Sequence, residues 1–177
     1  MGTFIGMIQK KYNWRGGNYT LGMLLKSYQK ILKSNDEVLK DQLKKLGNSE
    51  LEHFIEENKN QDGSSSVQPF GIPKEFGSLQ IGSYTFLNLS SKRLKSVEET
   101  EKVPFSPYEI IVHEMRHQYD LDMGNTKDRP TKASGLQGTS RDPLEIRAVI
   151  NENRVRPKNQ KRTSYGGRKI DFYKYNN

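Results

Sequence analysis

At 177 residues the chain is long enough to bury one proper core, and nothing in its length calls for a second domain. With 32% hydrophobic and 28% charged residues it is a polar chain with no apolar run of membrane-spanning length, and no basic stretch leading into an apolar segment marks a classical signal peptide. It has no cysteine, which excludes disulfides and thiolate metal sites and leaves only His, Asp and Glu to hold a metal; its net charge of +8 is concentrated in residues 151–177, where eight basic residues face two acidic ones.

In chain order, Thr20–Ser34 sets Leu21, Leu24, Leu25, Tyr28, Ile31 and Leu32 at helical spacing and predicts an amphipathic helix. Asn35–Leu46 continues as a second helix, with Asp36 or Asn35 as its cap and Gly47 as its stop. Leu51–Glu57 fits a short strand or one more helical turn, and the Gly-, Ser- and Asn-rich Asn58–Gln68 fits a surface loop. Leu79–Leu89, with Ile81, Tyr84, Phe86 and Leu89 between turn residues, predicts a strand or hairpin, and Lys92–Val103 a charged connection.

Ser106-Pro107-Tyr108-Glu109 then carries the signs of a helix start: a serine cap, proline at the first helical position and glutamate three residues after the cap. Tyr108, Ile111, Val112, Met115 and Tyr119 give this helix an apolar face, and Gly124 stops it. Asn125–Arg141 is polar and expected as a loop near the mouth of a site. Pro143–Arg156 is the next helix, capped by Asp142. In the tail Lys161–Tyr175, Tyr165-Gly166-Gly167 reads as a turn and Ile170-Asp171-Phe172-Tyr173 as a strand; the chain has no internal repeat.

Within the Ser106-capped helix, His113-Glu114-Met115-Arg116-His117 reads H-E-x-x-H. Histidines four apart share a helical face, so both imidazoles can bind one zinc ion, and Glu114 can take a proton from a water held there. The plainer alternative is a buried helix with two hydrogen-bonded histidines and a solvated Glu114. A catalytic zinc usually keeps three protein ligands and an open position. His53, alone and far upstream, is expected to be structural or exposed. Among the carboxylates of the next helix, Glu145 is the favoured third ligand, with Ala148 small enough to let the two helices approach, and Glu152 either supports the ligands from behind or substitutes for Glu145. Glu145 also lies three residues after Asp142, so it can instead complete a cap. Asp120 and Asp122 are further alternatives, although Asp120, four after Arg116, also fits a helical ion pair. Amide hydrolysis needs a group that steadies the oxyanion, and Arg162-Thr163-Ser164-Tyr165 offers Tyr165 and Arg162 as donors; core packing of Tyr165 and solvation of Arg162 is the competing explanation.

The stretches His113–Asp120, Gly124, Glu145-Ile146-Arg147-Ala148-Val149, Glu152-Asn153-Arg154-Val155-Arg156 and Arg162-Thr163-Ser164-Tyr165-Gly166-Gly167 resemble the NleD-type effector zinc metallopeptidases and related toxin domains of bacterial secretion systems. The resemblance covers the C-terminal half; the N-terminal helices match only in general layout. The Arg-x-x-Tyr layout is also similar to that of clostridial neurotoxin peptidases. Arg116 departs from the family pattern, which has an apolar residue there, and either lines the cleft or pairs with Asp120. The resemblance implies a zincin fold, one catalytic zinc and delivery into another cell's cytosol. The partners it implies are a protein substrate there and an immunity protein or delivery apparatus. Substrates of the best-known members are host signalling kinases, an identity that nothing in this chain carries over.

These observations predict an α+β, zincin-like metallopeptidase domain over residues 1–177, with a helical part over 18–58. Residues 79–177 supply the strand, the zinc helix under a small mixed sheet, the ligand-bearing second helix and the basic tail. The expected activity is that of a zinc endopeptidase: metal held by His113, His117 and Glu145, Glu114 as base, Tyr165 and Arg162 at the oxyanion. A different class also fits the charge: a non-catalytic module of the same shape that grips nucleic acid or an acidic protein through its tail, although no nucleic-acid motif supports the former. A hydrolase of another amide, such as one in the cell wall, shares the same metal chemistry.

Overall fold

The computed structural model describes residues 12–15, 17–60, 63–70 and 80–174. It is an α+β arrangement of five α-helices and a small mixed sheet among the described residues. The first strand, β1 (Tyr12–Arg15), is followed by α1 (Asn18–Lys33), whose apolar stripe buries Leu24, Tyr28 and Ile31. No side chain of its own caps α1. Glu57 serves instead, accepting from the Gly17 amide at 2.8 Å and from the Thr20 hydroxyl at 2.7 Å, and this holds the Glu57 carboxyl below the ordinary range. Helix α2 (Glu37–Asn48) starts at Asp36, which accepts from Leu39 N, and runs one residue past Gly47.

Leu51–Glu57 resolves into strand β2 (His53–Glu57), with burial alternating over its first residues. The expected loop Asn58–Gln68 ends in a further strand, β3 (Ser66–Pro69), which polarity hid; Gln61 and Asp62 lie outside the described residues. Strand β4 (Ser83–Leu87) alternates buried and half-buried along its length; the expected start at Leu79 lies outside the described residues. The sheet order is β1-β2-β4-β3, parallel except for the antiparallel β3–β4 pair, in which Ser66 faces Phe86 and Pro69 faces Ser83. Gly82 enters β4 where a Cβ would collide with the Glu52 carbonyl, so only glycine lets the two strand entries lie this close.

Lys92–Val103 is a correction. It forms helix α3 (Ser91–Glu101), capped by the Ser90 hydroxyl on Arg93 N and closed by Lys102 in the left-handed region at φ 60°. Its buried strip is only Val97 and Glu101, so the apolar period is faint.

Helix α4 (Pro107–Asp122) and helix α5 (Pro143–Arg154) pack on each other, with Ala148 fully buried between them and Asn151 Nδ2 donating to the Val112 carbonyl at 3.3 Å. Helix α4 also lies under the sheet, where Gln118 Nε2 donates to Thr85 Oγ1 at 2.8 Å. The main core joins Leu24, Ile31, Leu39, Leu43, Ile55, Leu87, Ile111 and Met115 from α1, α2, β2, β4 and α4. A smaller cluster, Ile146, Val149 and Ile170, seats the tail on α5. The tail forms a hairpin of β5 (Ser164–Tyr165) and β6 (Arg168–Lys169), turned by Gly166 and Gly167 at φ 57° and 71°. Phe172–Lys174 is a short 3-10 turn and not the expected strand. No helix among the described residues is long and apolar enough to cross a membrane.

Candidate metal centre

Helix α4 begins with the capping box expected from Ser106 and Glu109: the Glu109 carboxylate accepts from Ser106 N at 2.8 Å, and the Ser106 side chain caps the first turn. Its far end is tied to the sheet. Asp122 meets His53 Nε2 at 3.1 Å and the Ser49 hydroxyl, and His53 Nδ1 meets Ser83 Oγ at 2.8 Å. His53 and Asp122 are therefore structural, about 1% exposed each, and neither joins the site.

Between these two ends, His113 and His117 face α5. Their Nε2 atoms lie 3.3 Å apart, and Glu145 Oε2 lies 3.3 Å from each, so three donor atoms form an equilateral triangle. The group can hold a metal ion. Glu145 is free to do this because Asp142 makes the cap by itself, accepting from Leu144 N at 3.0 Å and Gly138 N at 2.9 Å. The Glu145 side chain is thus directed at the two histidines and not at the helix start.

Glu152 stands behind His113, with Oε2 3.3 Å from Nδ1. It is fully buried and also meets Arg156 Nε at 2.8 Å and Arg162 Nη1 at 2.9 Å, so its oxygens are engaged behind His113 and it stands outside the triangle. Asp120 is likewise committed, paired with Arg116 at 3.0 Å and Arg147 at 3.1 Å. This accounts for Arg116, which pairs with Asp120, while Arg147 reaches on to Asp128 at 2.6 Å.

The structure brings Tyr165 to the site, its ring nearly parallel to that of His113 with centroids 6.0 Å apart. Arg162 differs from expectation. It is 5% exposed, and its donors are taken by Glu152, by Glu101 at 2.9 Å and by the Ser164 carbonyl at 2.9 Å. Three of the five N–H donors of the guanidinium are engaged this way, and they hold the hairpin against α3 and α5.

Burial and charge set the protonation states. Burial opposes the His113 imidazolium, but the Glu145 and Glu152 carboxylates outweigh it and push the metal-free His113 up to about 9. Burial also works against the Glu145 anion, yet His117 and His113 hold its carboxyl well below the usual range. Glu114, 6% exposed, is raised chiefly by burial, with the two histidines opposing. Burial, then the neighbouring Glu145 charge, holds the Tyr165 phenol well above its ordinary value, so it stays a protonated donor.

The triangle opens on a cleft of about 470 Å3 lined by Glu114, Tyr165, β3 and the loop over 125–141, through Thr126, Arg129, Gln137 and Gly138. A second cavity of about 230 Å3 shares His113, Glu114 and Tyr165 with the cleft and is walled by α3 and the Arg162 network. Residues of α3 and β3 in these walls were not foreseen; the Ser90 cap and the strong helix formers after it were the available signal for α3. Comparison with protein-family models, with curated proteins and with solved structures finds no match for this chain.

Proposed function

We propose that this chain is a zinc-dependent endopeptidase of zincin-like fold. It resembles the NleD-type effector peptidases and cleaves proteins in a target cell after delivery by a specialised secretion system. The observation that carries the reading is the 3.3 Å triangle of two imidazole nitrogens and one carboxylate oxygen beside the buried Glu114. A tetrahedral centre with bonds of about 2.0–2.1 Å has edges of about 3.3–3.4 Å, whereas an octahedral one with the same bonds has edges of about 2.9 Å. The spacing favours zinc over magnesium, and the two imidazoles favour it over both magnesium and calcium, which take oxygen ligands.

When bound, zinc supplies Lewis-acid polarisation of a water and of the substrate carbonyl. The chain's own residues do the rest. Glu114 takes the water's proton as the water oxygen bonds to the carbonyl carbon, then gives a proton to the amide nitrogen as the C–N bond breaks. Glu152 accepts from His113 Nδ1, which leaves the Nε2 lone pair aimed at the triangle. The Tyr165 phenol donates to the oxygen on which negative charge develops. Strand β3 supports a peptide over other amides. It pairs only with β4 among the described residues and lines the cleft, so its outer backbone groups are placed to add an extended chain as a further strand.

The binding-module reading draws less support. Much of the tail's charge is used inside the molecule: Arg162 and Arg156 on Glu152, Arg154 on Asp36 at 3.4 Å, and Lys161 on the Asn153 carbonyl. The test is metal content by elemental mass spectrometry, followed by cleavage of an unfolded test protein. About one zinc per chain is expected, with Glu114→Gln keeping the metal and losing activity about 100-fold or more. A fully active Glu114→Gln protein would sink the mechanism; no zinc after reconstitution would sink the centre and favour the binding module.

A further inference from the structure

The smaller cavity beside Glu114 holds two arginines in different states. Arg162 is bonded to Glu101, Glu152 and the Ser164 carbonyl. Arg93, on the first turn of α3, lines the same cavity, is half-buried, and makes no side-chain hydrogen bond or ion pair among the described residues. Its positive charge is felt weakly at Glu114. A half-buried guanidinium that gives up part of its hydration without a bonded partner is poised to bind an anion. Of the other charged groups facing the cavity, Glu101 and Glu152 are matched by Arg162 and Glu152 again by Arg156, while Glu114 sits under the opposing charge of His113 and His117. The remaining wall is mixed, with Ser64, Ser65 and Thr100 supplying hydroxyls and Val97 and Ile110 an apolar side for a short methylene stem.

We propose that this cavity takes the side chain of the substrate residue next to the scissile bond, that this residue is aspartate or glutamate, and that Arg93 is the specificity-determining residue that binds its carboxylate. The proposal rests on the peptidase reading for the ligand's identity. The cavity adjoins His113 and Glu114 directly, so a peptide bond brought to those residues sets a flanking side chain at its opening. One uncommitted cation with a carboxylate nearby suits a single negative charge better than a doubly charged phosphate, which calls for several donors.

The test uses the full chain loaded with zinc and a matched pair of short peptide hydroxamates, which bind through the metal without being cleaved, carrying Glu or Gln next to the hydroxamate. Calorimetry is expected to give the Glu compound tenfold or more tighter binding, as a charge-assisted bond to a partly buried group implies. Arg93→Gln should erase that preference while binding the Gln compound as well as the wild type does. Arg93→Glu should turn the preference toward a Lys compound. In parallel, a randomised peptide library read by mass spectrometry should show acidic residues enriched at one flanking position, an enrichment lost in Arg93→Gln. Hydroxamate binding with no Glu preference, or a preference that survives Arg93→Gln, overturns the pocket assignment and leaves the peptidase reading standing. A Glu preference that depends on Arg93 with no library cleavage supports the pocket and overturns the peptidase reading; no hydroxamate binding by zinc-loaded protein overturns both.

Discussion

Glu152→Ala is the most informative single change, because this one carboxylate serves both the ligand set and the packing behind it. In the native protein its two oxygens meet His113 Nδ1, Arg156 Nε and Arg162 Nη1, and its side chain is 0% exposed. Its removal leaves Arg156 with the Pro104 carbonyl and the Phe105 ring, and Arg162 with Glu101 and the Ser164 carbonyl. Removing one partner from a buried pair costs about 3–5 kcal/mol, so the metal-free variant should lose that much on denaturant unfolding, a large share of an ordinary domain's margin. The second consequence is separate: without a partner on Nδ1, metal affinity should drop about 10- to 100-fold. If the metal is supplied at about 1,000 times the native dissociation constant, it stabilises the native protein by about 4 kcal/mol and the variant by only about 1.4–2.7 kcal/mol. Paired urea titrations with and without zinc measure both losses, and competition with a chelator checks the affinity directly. Unchanged affinity would refute the claim that Glu152 orients His113; unchanged metal-free stability would refute the claim that it neutralises the two arginines.

Tyr165→Phe should lower kcat by about 100- to 1,000-fold with metal content unchanged, measured by steady-state kinetics, and an effect on KM alone would remove the phenol from the oxyanion role. Arg162→Met should instead act on stability, by about 3–5 kcal/mol in urea, because it removes the buried cation shared by Glu101 and Glu152 and leaves Glu101 without a charged partner. Ala148→Leu should cost about 1–3 kcal/mol and weaken metal binding as α5 and Glu145 move away from α4; unchanged chelator competition would refute that coupling. In metal-free protein the folded His113, at about 9, lies above its ordinary value, so its contribution to stability is full below about pH 6.5 and fades as pH rises through about 9. Zinc must displace that proton, so affinity should climb with pH over the same window, by up to about tenfold per unit, in chelator competition at fixed ionic strength.

The parts of the site that were legible in the sequence rest on short-range rules. Two histidines one turn apart share a face under any packing, and Ser106 with Glu109 or Asp142 with Pro143 fixes where a helix starts. Glu145 is favoured because other ligand types are absent, and only the three-dimensional structure shows its side chain turned to the histidines while Asp142 makes the cap. The missed elements depend on partners distant in sequence. Strand β3 is Ser-Val-Gln-Pro, with no strand period of its own, and exists because β4 lies beside it. The role of Arg162 comes from Glu101, 61 residues away. Helix α3 had a local signal, but its charged surface gave too thin an apolar stripe, and Arg93 was overlooked with it.

Helix α4 is held at both ends: the Ser106–Glu109 box closes its start, and the Asp122–His53–Ser83 chain pins its finish to the sheet. A shaft seated in two bearings can neither roll nor slide. The direction in which His113 and His117 point is therefore set before any ion arrives. Loss and return of an ion need no unwinding of the turn that carries them, so in hydrogen exchange the amides of residues 111–118 should open only with the whole molecule, with metal or without it.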